Sequence, residues 1–215
     1  MLVLNGVATT FGGVVLSWEP VTVSVSEHIC PPPQNVPYSM FTLEEFVAQF
    51  GSYKVPPRLI ELFNVQENVG PELLGGFCLD TYGRDELYQR LGNHGVADQF
   101  IEFAEALDDG ASYGFWCVQE DLSQCPIVVF SDNVVTAVAC DLEELLGLLS
   151  YDGELVVDNG KATYVKDEDY EPSEHHATYL EFYGLVPWSK AQTEATVAKA
   201  QTSYQTNLSE FVGAA

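Results

Sequence analysis

Residues 127–149 read IVVFSDNVVTAVACDLEELLGLL, and this stretch decides the fold class. Two apolar runs, 127–131 and 134–139, flank Asp132-Asn133, a dipeptide that favours a tight hairpin turn. Asp141 then forms a capping box with Glu144, and the leucines that follow fall on one helical face. The stretch therefore predicts an antiparallel hairpin followed by a helix that packs on it.

The residues that precede this stretch predict a further strand and several helices. Residues 113–119 are rich in aromatic and β-branched side chains, which favours a strand. Apolar spacing predicts a helix over 98–107 with Phe100, Phe103 and Leu107 facing inward. The other predicted elements are a strand over 77–82, a short helix over 85–91, a helix begun by the capping box Thr42 and Glu45, and a helix begun by Pro56-Pro57.

This order of elements, helices first, then an antiparallel sheet, then a closing helix, predicts an α+β fold rather than parallel βαβ units. We expect helices packed on one mostly antiparallel sheet over residues 41–150. Residues 1–40 predict a β-rich N-terminal extension that ends at three consecutive prolines. Residues 151–215 predict a C-terminal extension made of a hairpin and a helical segment.

Two patterns support the C-terminal prediction. Asn159-Gly160 is a hairpin turn signal between 155–158 and 162–165, and Ser189 with Gln192 is a capping box. Small residues then recur at helical spacing and predict a closely packed seam. The seam consists of Trp188, Ala191, Ala195, Ala198 and Thr202. It suits packing on this chain or on a second copy, so both a monomer and a homodimer remain open.

The charge balance is unusual, with 32 acidic against 8 basic residues and a formal net charge of -24. No Lys or Arg occurs between Leu91 and Gly160, whereas 14 Asp and Glu do. Such a field repels nucleic acids and anionic membranes, and it attracts basic proteins. Two simpler explanations stay open, because the acidity could serve solubility or adaptation to a salt-rich environment.

The cysteines and the N-terminus predict a cytoplasmic protein. The five cysteines are odd in number, form no CxxC pair and lie mostly in apolar runs, as reduced core thiols do. The apolar N-terminus has no basic leader and is broken by Asn5-Gly6 and Gly12-Gly13, which argues against a secretory signal. No stretch is long enough for a transmembrane helix, so we expect no membrane partner.

The sequence offers few groups for catalysis. Its four histidines lie in no HExxH motif, and neither a GxxxxGK[ST] nor a GxGxxG loop occurs. Acidic pairs are abundant, but carboxylate catalysis needs two groups in unlike environments. We therefore predict no catalytic residue, no cofactor and no metal site, and keep a carboxylate-based enzyme as the less favoured alternative.

Residues 41–150 resemble the SUKH superfamily, which includes yeast cell-wall-synthesis regulators and bacterial toxin-immunity proteins. The similarity lies in the order and spacing of short phrases and covers about half of the chain. The phrases are VPPRL at 55–59, FIEFAEALDDG at 100–110, YGFW at 113–116, PIVVF at 126–130 and AVACDLEELL at 137–146.

The resemblance implies a non-catalytic α+β domain that binds a protein, and many bacterial members are regarded as inhibitors that neutralise a toxin by direct contact. A basic, nuclease-like toxin would suit the acidic charge. A regulatory or scaffolding protein of the same fold is the alternative. The candidate partner-binding residues are Glu102, Asp108, Asp109, Trp116, Glu120 and Asp121. Trp116 has a second interpretation as a core residue, and the acids as a solvated rim.

Overall fold

A computed structural model describes residues 41–70, 74, 76–106, 110–131, 134–158, 160–166, 170, 173 and 175–213. The strands are β1 Cys78–Leu79, β2 Phe100–Glu105, β3 Ser112–Trp116, β4 Ile127–Ser131, β5 Val134–Ala139, β6 Glu154–Asp158 and β7 Lys161–Val165. The helices are α1 Leu43–Ala48, α2 Pro57–Val69, α3 Arg84–Leu91, α4 His94–Ala97, α5 Leu142–Leu149, α6 His176–Tyr183, α7 Lys190–Ala200 and α8 Thr206–Gly213. A 3-10 turn spans Leu122–Gln124, and a π-helical turn, Gln201–Gln205, joins α7 to α8.

The central element is a five-stranded sheet in the order β1-β2-β3-β4-β5, in which every neighbouring pair is antiparallel. Strands β6 and β7 form a separate antiparallel hairpin. Consecutive strands are thus also neighbours in space, as short connections favour. The predicted α+β class with a mostly antiparallel sheet is confirmed.

Both faces of the five-stranded sheet are buried. The first face carries Phe103, Phe115 and Ile127 and packs against α1, α2, α5 and α6. The second face carries Phe100 and Phe130 and packs against α3, α4 and α8. Because apolar side chains are needed on both sides, β2 and β3 are buried along nearly their whole length instead of showing the apolar-polar alternation of a one-sided sheet.

This two-sided burial explains a wrong prediction. Residues 98–107 were expected to form a helix, but Phe100–Glu105 forms β2, while Leu107 lies outside the described residues. Phe100 and Phe103 lie on opposite faces of the strand rather than on one face of a helix. A short, nearly continuous apolar run fits either structure, and here pairing with β1 and β3 determines the outcome.

The predicted helix starts agree with the structure. Thr42 and Glu45 form the expected capping box, with Glu45 N donating to Thr42 Oγ1 at 3.2 Å. Asp141 Oδ1 accepts from Glu144 N at 2.8 Å, but the Glu144 carboxylate accepts from Cys140 N rather than from Asp141 N. The β6–β7 hairpin forms as predicted. The turn residues 132, 133 and 159 lie outside the described part of the chain.

The C-terminal helices pack on β5 of the same chain, but with a different face from the predicted one. Ala191, Ala195, Ala198 and Thr202 are exposed. The buried residues of α7 are instead Thr193, Val197 and Ala200, and α8 buries Leu208. The prediction was therefore wrong for Ala191, Ala195, Ala198 and Thr202, whereas Trp188 does pack against the core. The buried face of α7 carries Thr193 and Val197, whose side chains supply more contact area than alanine.

Residues 151–213 belong to the same compact unit as residues 41–150. The contacts of the chain place every described residue in this one unit. The predictions made for residues 1–40 fall outside the described residues. In the described part of the chain, no helix is both long and apolar enough to cross a membrane.

On each of the two outer strands of the sheet, a glutamine side chain forms hydrogen bonds with the backbone. Buried Gln66 accepts from Leu79 N at 2.8 Å and donates to Leu79 O at 3.0 Å on β1. Gln205 does the same on β5, accepting from Ala137 N at 2.8 Å and donating to Val135 O at 2.9 Å. Each amide thus replaces the backbone of a neighbouring strand, and the π-helical turn positions Gln205 for this contact.

Candidate acidic interaction surface

The six candidate partner-binding residues do not form one surface. Glu120 and Asp121 are exposed in the connection between β3 and β4. Asp108 and Asp109 lie outside the described residues, so their part in a contact stays a prediction. Glu102 and Trp116 are buried.

Trp116 is a core residue on the second face of the sheet. Its residue exposure is 8%, and its ring lies 6.4 Å from the Phe100 ring and 5.9 Å from the Phe211 ring, between centroids. Helix α8 covers it, so a partner at the surface cannot use Trp116 as an anchor without displacing that helix. The core interpretation of Trp116 is the one that the structure favours.

Glu102 lies beneath α3, with a side-chain exposure of 2%. Arg90 Nη1 lies 3.0 Å from Glu102 Oε1, and the Ser112 hydroxyl also donates to this oxygen. Burial raises the pKa of Glu102, while the Ser112 hydrogen bond and the Arg90 charge oppose that rise. Glu102 was predicted to contact a partner, and this prediction is corrected because its carboxylate is buried in an ion pair with Arg90.

The connection between β3 and β4 presents its acids to solvent, and we call residues 118–124 the Glu120 loop. Asp121 Oδ1 accepts from Ser123 Oγ at 2.8 Å and from Ser123 N at 3.0 Å. These two hydrogen bonds lower the pKa of Asp121. Val118 is 48% exposed beside the acids, so the loop combines negative charge with an apolar contact point.

A second set of acidic residues acts on the pKa of Tyr82, and the sequence analysis did not predict it. Burial raises the pKa of Tyr82, and Asp80, Glu102 and Glu105 raise it further. Asp80 and Glu105 also contribute, after burial, to raising the pKa of the Cys78 thiol to about 12. We call Asp80, Glu102 and Glu105 the Tyr82 cluster. Only the pairing of Cys78 with Glu105 across β1 and β2 brings these carboxylates together, so sequence spacing gave no signal for it.

The Glu120 loop and Glu105 lie at opposite ends of β3. Glu105 is the register partner of Ser112, where β3 begins, and Trp116, where β3 ends, leads into the loop. At roughly 3.3 Å per residue, the four steps between these ends span about 13 Å. A typical protein partner covers about 800 Å² and could reach from one group to the other.

The basic residues are largely engaged by groups of the chain itself. Arg58 pairs with Glu61 and Glu143, Arg84 with Asp98, and Lys190 with Glu194. Three more cations interact with groups of the same chain: Arg90 with Glu102, Lys199 with Glu144, and Lys166 with the rings of Tyr151 and Tyr170. Many exposed carboxylates consequently have no basic partner in an ion pair within the described residues. They include Glu44, Asp85, Glu86, Glu105, Glu120, Glu154, Glu181 and Glu210.

Some of these acids have an internal role, because they lie in the first turns of helices. Glu44 lies in the first turn of α1, and Asp85 and Glu86 lie in the first turn of α3. A negative charge there complements the helix dipole, which stabilises each helix modestly. Glu105 and Glu120 lie outside helices, so this explanation does not extend to them.

One small cavity borders the Tyr82 cluster. Its volume is about 10 Å³, which accommodates a single water molecule. Its lining includes Gln49, Tyr82, Arg84 and Glu102. A cavity of this size does not hold an organic substrate. Within the residues that the structure describes, no three His, Cys, Asp or Glu are placed to hold a metal ion.

Comparison with protein-family models, with curated proteins and with solved structures gives no match. The SUKH resemblance therefore stays a prediction based on short sequence phrases.

Proposed function

We propose that this chain is a non-catalytic binding protein of the immunity type, which neutralises a basic, nuclease-like bacterial toxin by direct contact. The observation that carries the proposal is the excess of exposed carboxylates over available cations. The net charge is -24, and six of the eight basic residues are already held by acidic or aromatic groups of the chain. The SUKH-like phrases support the same class of function.

The physical basis is long-range attraction. A surface with uncompensated negative charge accelerates encounter with a cationic protein, and the effect falls as salt screens it beyond a Debye length of about 8 Å at physiological ionic strength. A nuclease uses cationic side chains to bind the phosphates of its substrate. Carboxylates of an inhibitor can bind those same cationic side chains. Contact in this way blocks the substrate path of the toxin without any chemistry in the inhibitor.

We place the primary contact at the Glu120 loop. Glu120 and Asp121 are exposed, Ser123 donates two hydrogen bonds to Asp121, and Val118 offers apolar area beside them. Interfaces combine an apolar centre with a charged rim, which this arrangement can supply. The proposal also places the protein in the cytoplasm, supported by the free thiols of Cys78, Cys117, Cys125 and Cys140.

The test uses the protein encoded directly beside this chain as the toxin. Both are purified, and inhibition and association rate are measured at low and at physiological salt. The variant Glu120→Lys/Asp121→Asn is compared with the control Glu181→Lys/Glu210→Gln, which changes the net charge equally elsewhere on the surface. Asn at 121 retains an oxygen that can accept from Ser123, so the loop keeps its cap.

We expect the loop variant to slow association at least about tenfold at low salt, with a much smaller effect for the control. Equal effects of both variants would show that only net charge matters and would remove the loop from the contact. Binding without inhibition would favour the regulatory or scaffolding alternative. Unchanged binding by both variants would contradict an acidic contact altogether.

A further inference from the structure

Two cysteines face each other where β3 and β4 leave the sheet. In the register of these strands Phe115 pairs with Ile127, and Trp116 N donates to Pro126 O at 2.9 Å. The next pair outward in the same register is Cys117 and Cys125. Cys117 therefore lies opposite Cys125 at the two ends of the Glu120 loop.

The hydrogen bonds define the kind of pair. Cys117 N donates to Gln99 O at 2.7 Å, so this N–H points toward the β2 side and away from Cys125. Extending the register one pair beyond Trp116 and Pro126 therefore places Cys117 and Cys125 at a non-hydrogen-bonded position. At such positions the Cα atoms lie about 4.5 Å apart, and the side chains approach more closely than at hydrogen-bonded positions.

Both side chains also lie on the same face of the sheet. Cys117 and Cys125 belong to the first core cluster together with Phe115 and Ile127. Their exposures are 4% and 0%. Electrostatics agrees with this proximity, because burial and then Cys125 raise the pKa of the Cys117 thiol, to about 12.

We propose that Cys117 and Cys125 form a cross-strand disulfide when the protein meets a disulfide oxidant, and that this bond closes the Glu120 loop. Disulfides need Cα atoms 4.4–6.8 Å apart and Cβ atoms roughly 3.5–4.5 Å apart. The typical Cα spacing at a non-hydrogen-bonded position meets the first requirement. Cross-strand Cβ atoms typically lie about 4.5–5.5 Å apart, so they need to move only slightly closer to meet the second.

The reaction is two successive thiol–disulfide exchanges. One cysteine thiolate attacks a small-molecule disulfide, forming a mixed disulfide and releasing one small thiol. The second cysteine thiolate attacks the protein sulfur of that mixed disulfide, releasing the second small thiol. The two protein thiols lose two protons and two electrons in total, and the oxidant accepts both electrons as its S–S bond breaks.

Burial makes the reaction slow in the closed protein. The thiolate is the attacking form, and a raised pKa keeps Cys117 protonated at neutral pH. An oxidant reaches the pair only when the loop opens locally, so the bond forms under sustained oxidation rather than in a brief exposure. Once formed, it holds Cys117 and Cys125 together and restricts the conformations of Glu120 and Asp121 between them.

The other described cysteines provide an internal comparison. Cys78 lies on β1 and Cys140 directly follows β5, at opposite edges of the five-stranded sheet. Four strand spacings of about 4.8 Å separate these edges, which is too far for a disulfide. Oxidation is therefore expected to leave Cys78 and Cys140 as thiols or as mixed disulfides with the oxidant.

The test refolds the full chain in a buffer of reduced and oxidised glutathione at pH 8–9, chosen to favour the thiolate near the usual cysteine pKa of about 8.5. Circular dichroism first establishes that the refolded chain matches the untreated protein. Remaining thiols are alkylated, and peptide mapping identifies the linked cysteines. Cys117→Ser and Cys125→Ser are treated in parallel, with Cys78→Ser as the matched control.

We expect more than half of the refolded chains to carry a Cys117–Cys125 link, and Cys78→Ser to carry it equally. Neither Cys117→Ser nor Cys125→Ser should acquire a link at the remaining partner. A natively folded product in which both thiols are alkylated, or in which each carries glutathione, would overturn the proposal. So would a product in which another cysteine pair predominates.

Discussion

The indole ring of Trp188 lies directly on Gly147 of α5. A Cβ atom at position 147 would overlap the Trp188 ring at Cζ2. The backbone N–H of Trp188 also donates to Ser150 Oγ at 3.1 Å. Together these contacts attach the segment before α7 to the last turn of α5, and they require the absence of a side chain at position 147.

Gly147→Ala should therefore destabilise the protein, although alanine is the better helix former by about 1 kcal/mol. The indole has to move aside, and overpacking of this kind costs about 1–3 kcal/mol. Urea denaturation followed by circular dichroism measures the change. Gly213→Ala in α8 is the control, since nothing lies near its added methyl group, and should be neutral or slightly stabilising. A stabilised Gly147→Ala would show that the indole does not rest there.

Ending the chain at Ser150 should abolish cooperative unfolding of residues 41–150. The removed segment supplies Tyr179 and Val197 to the first core cluster and Leu208 to the second. It also removes Tyr164, whose hydroxyl lies 3.0 Å from the buried Tyr113 hydroxyl. A chain ending at Gly213 is the control. Sharp thermal unfolding of the shortened chain would mean that residues 41–150 form an independent domain.

Gln66→Leu should cost about 2–4 kcal/mol, because it leaves both the N–H and the C=O of Leu79 buried without their amide partner. Leucine has nearly the same size, so the effect reports the lost hydrogen bonds rather than a cavity. Gln89→Leu, at an exposed position on α3, serves as the control and should change the unfolding free energy little. Equal values for the two variants would contradict the role of Gln66 in capping β1.

Arg90→Met should destabilise the protein in a pH-dependent manner. Burial already raises the pKa of Glu102, and without Arg90 it rises further. The unfolded-state pKa of a glutamate is about 4.3, and here the folded-state pKa lies above it. The protein therefore loses stability as the pH rises from the unfolded-state pKa through the folded-state pKa. The loss should be small below about pH 4 and reach about 3–5 kcal/mol at neutral pH.

Urea denaturation at the two pH values measures this difference, and Arg90→Met/Glu102→Gln should recover most of the neutral-pH loss. The Arg90 guanidinium also lies 5.7 Å from the Phe130 ring centroid. A loss that is the same at both pH values, and is not rescued by Glu102→Gln, would assign the role of Arg90 to packing on Phe130.

Local signals predicted much of the fold. Capping boxes at Thr42 and Ser189 and the hairpin of β6 and β7 depend on neighbouring residues, and all of them form. The helix predicted over 98–107 failed because its apolar residues serve two separate faces of the sheet. That arrangement depends on α3, α4 and α8 covering the second face, which no local window contains.

The site was less predictable for the same reason. Glu102 is acidic like its neighbours in the sequence, and only the packing of α3 over β2 places Arg90 against it. Asp80 and Glu105 lie far apart in sequence and meet through strand pairing. Glu120 and Asp121 were predicted to contact a partner or to form a solvated rim, and both are exposed in the connection after β3.

The amides of Gln66 and Gln205 also limit how this chain can associate. A molecule that extends a sheet needs free backbone donors and acceptors on an outer strand. At Leu79 on β1 and at Val135 and Ala137 on β5, side chains already occupy those groups. Growth by strand addition at these positions would first require α2 or the π-helical turn to detach, so assembly of this kind carries a built-in barrier at both sides of the sheet.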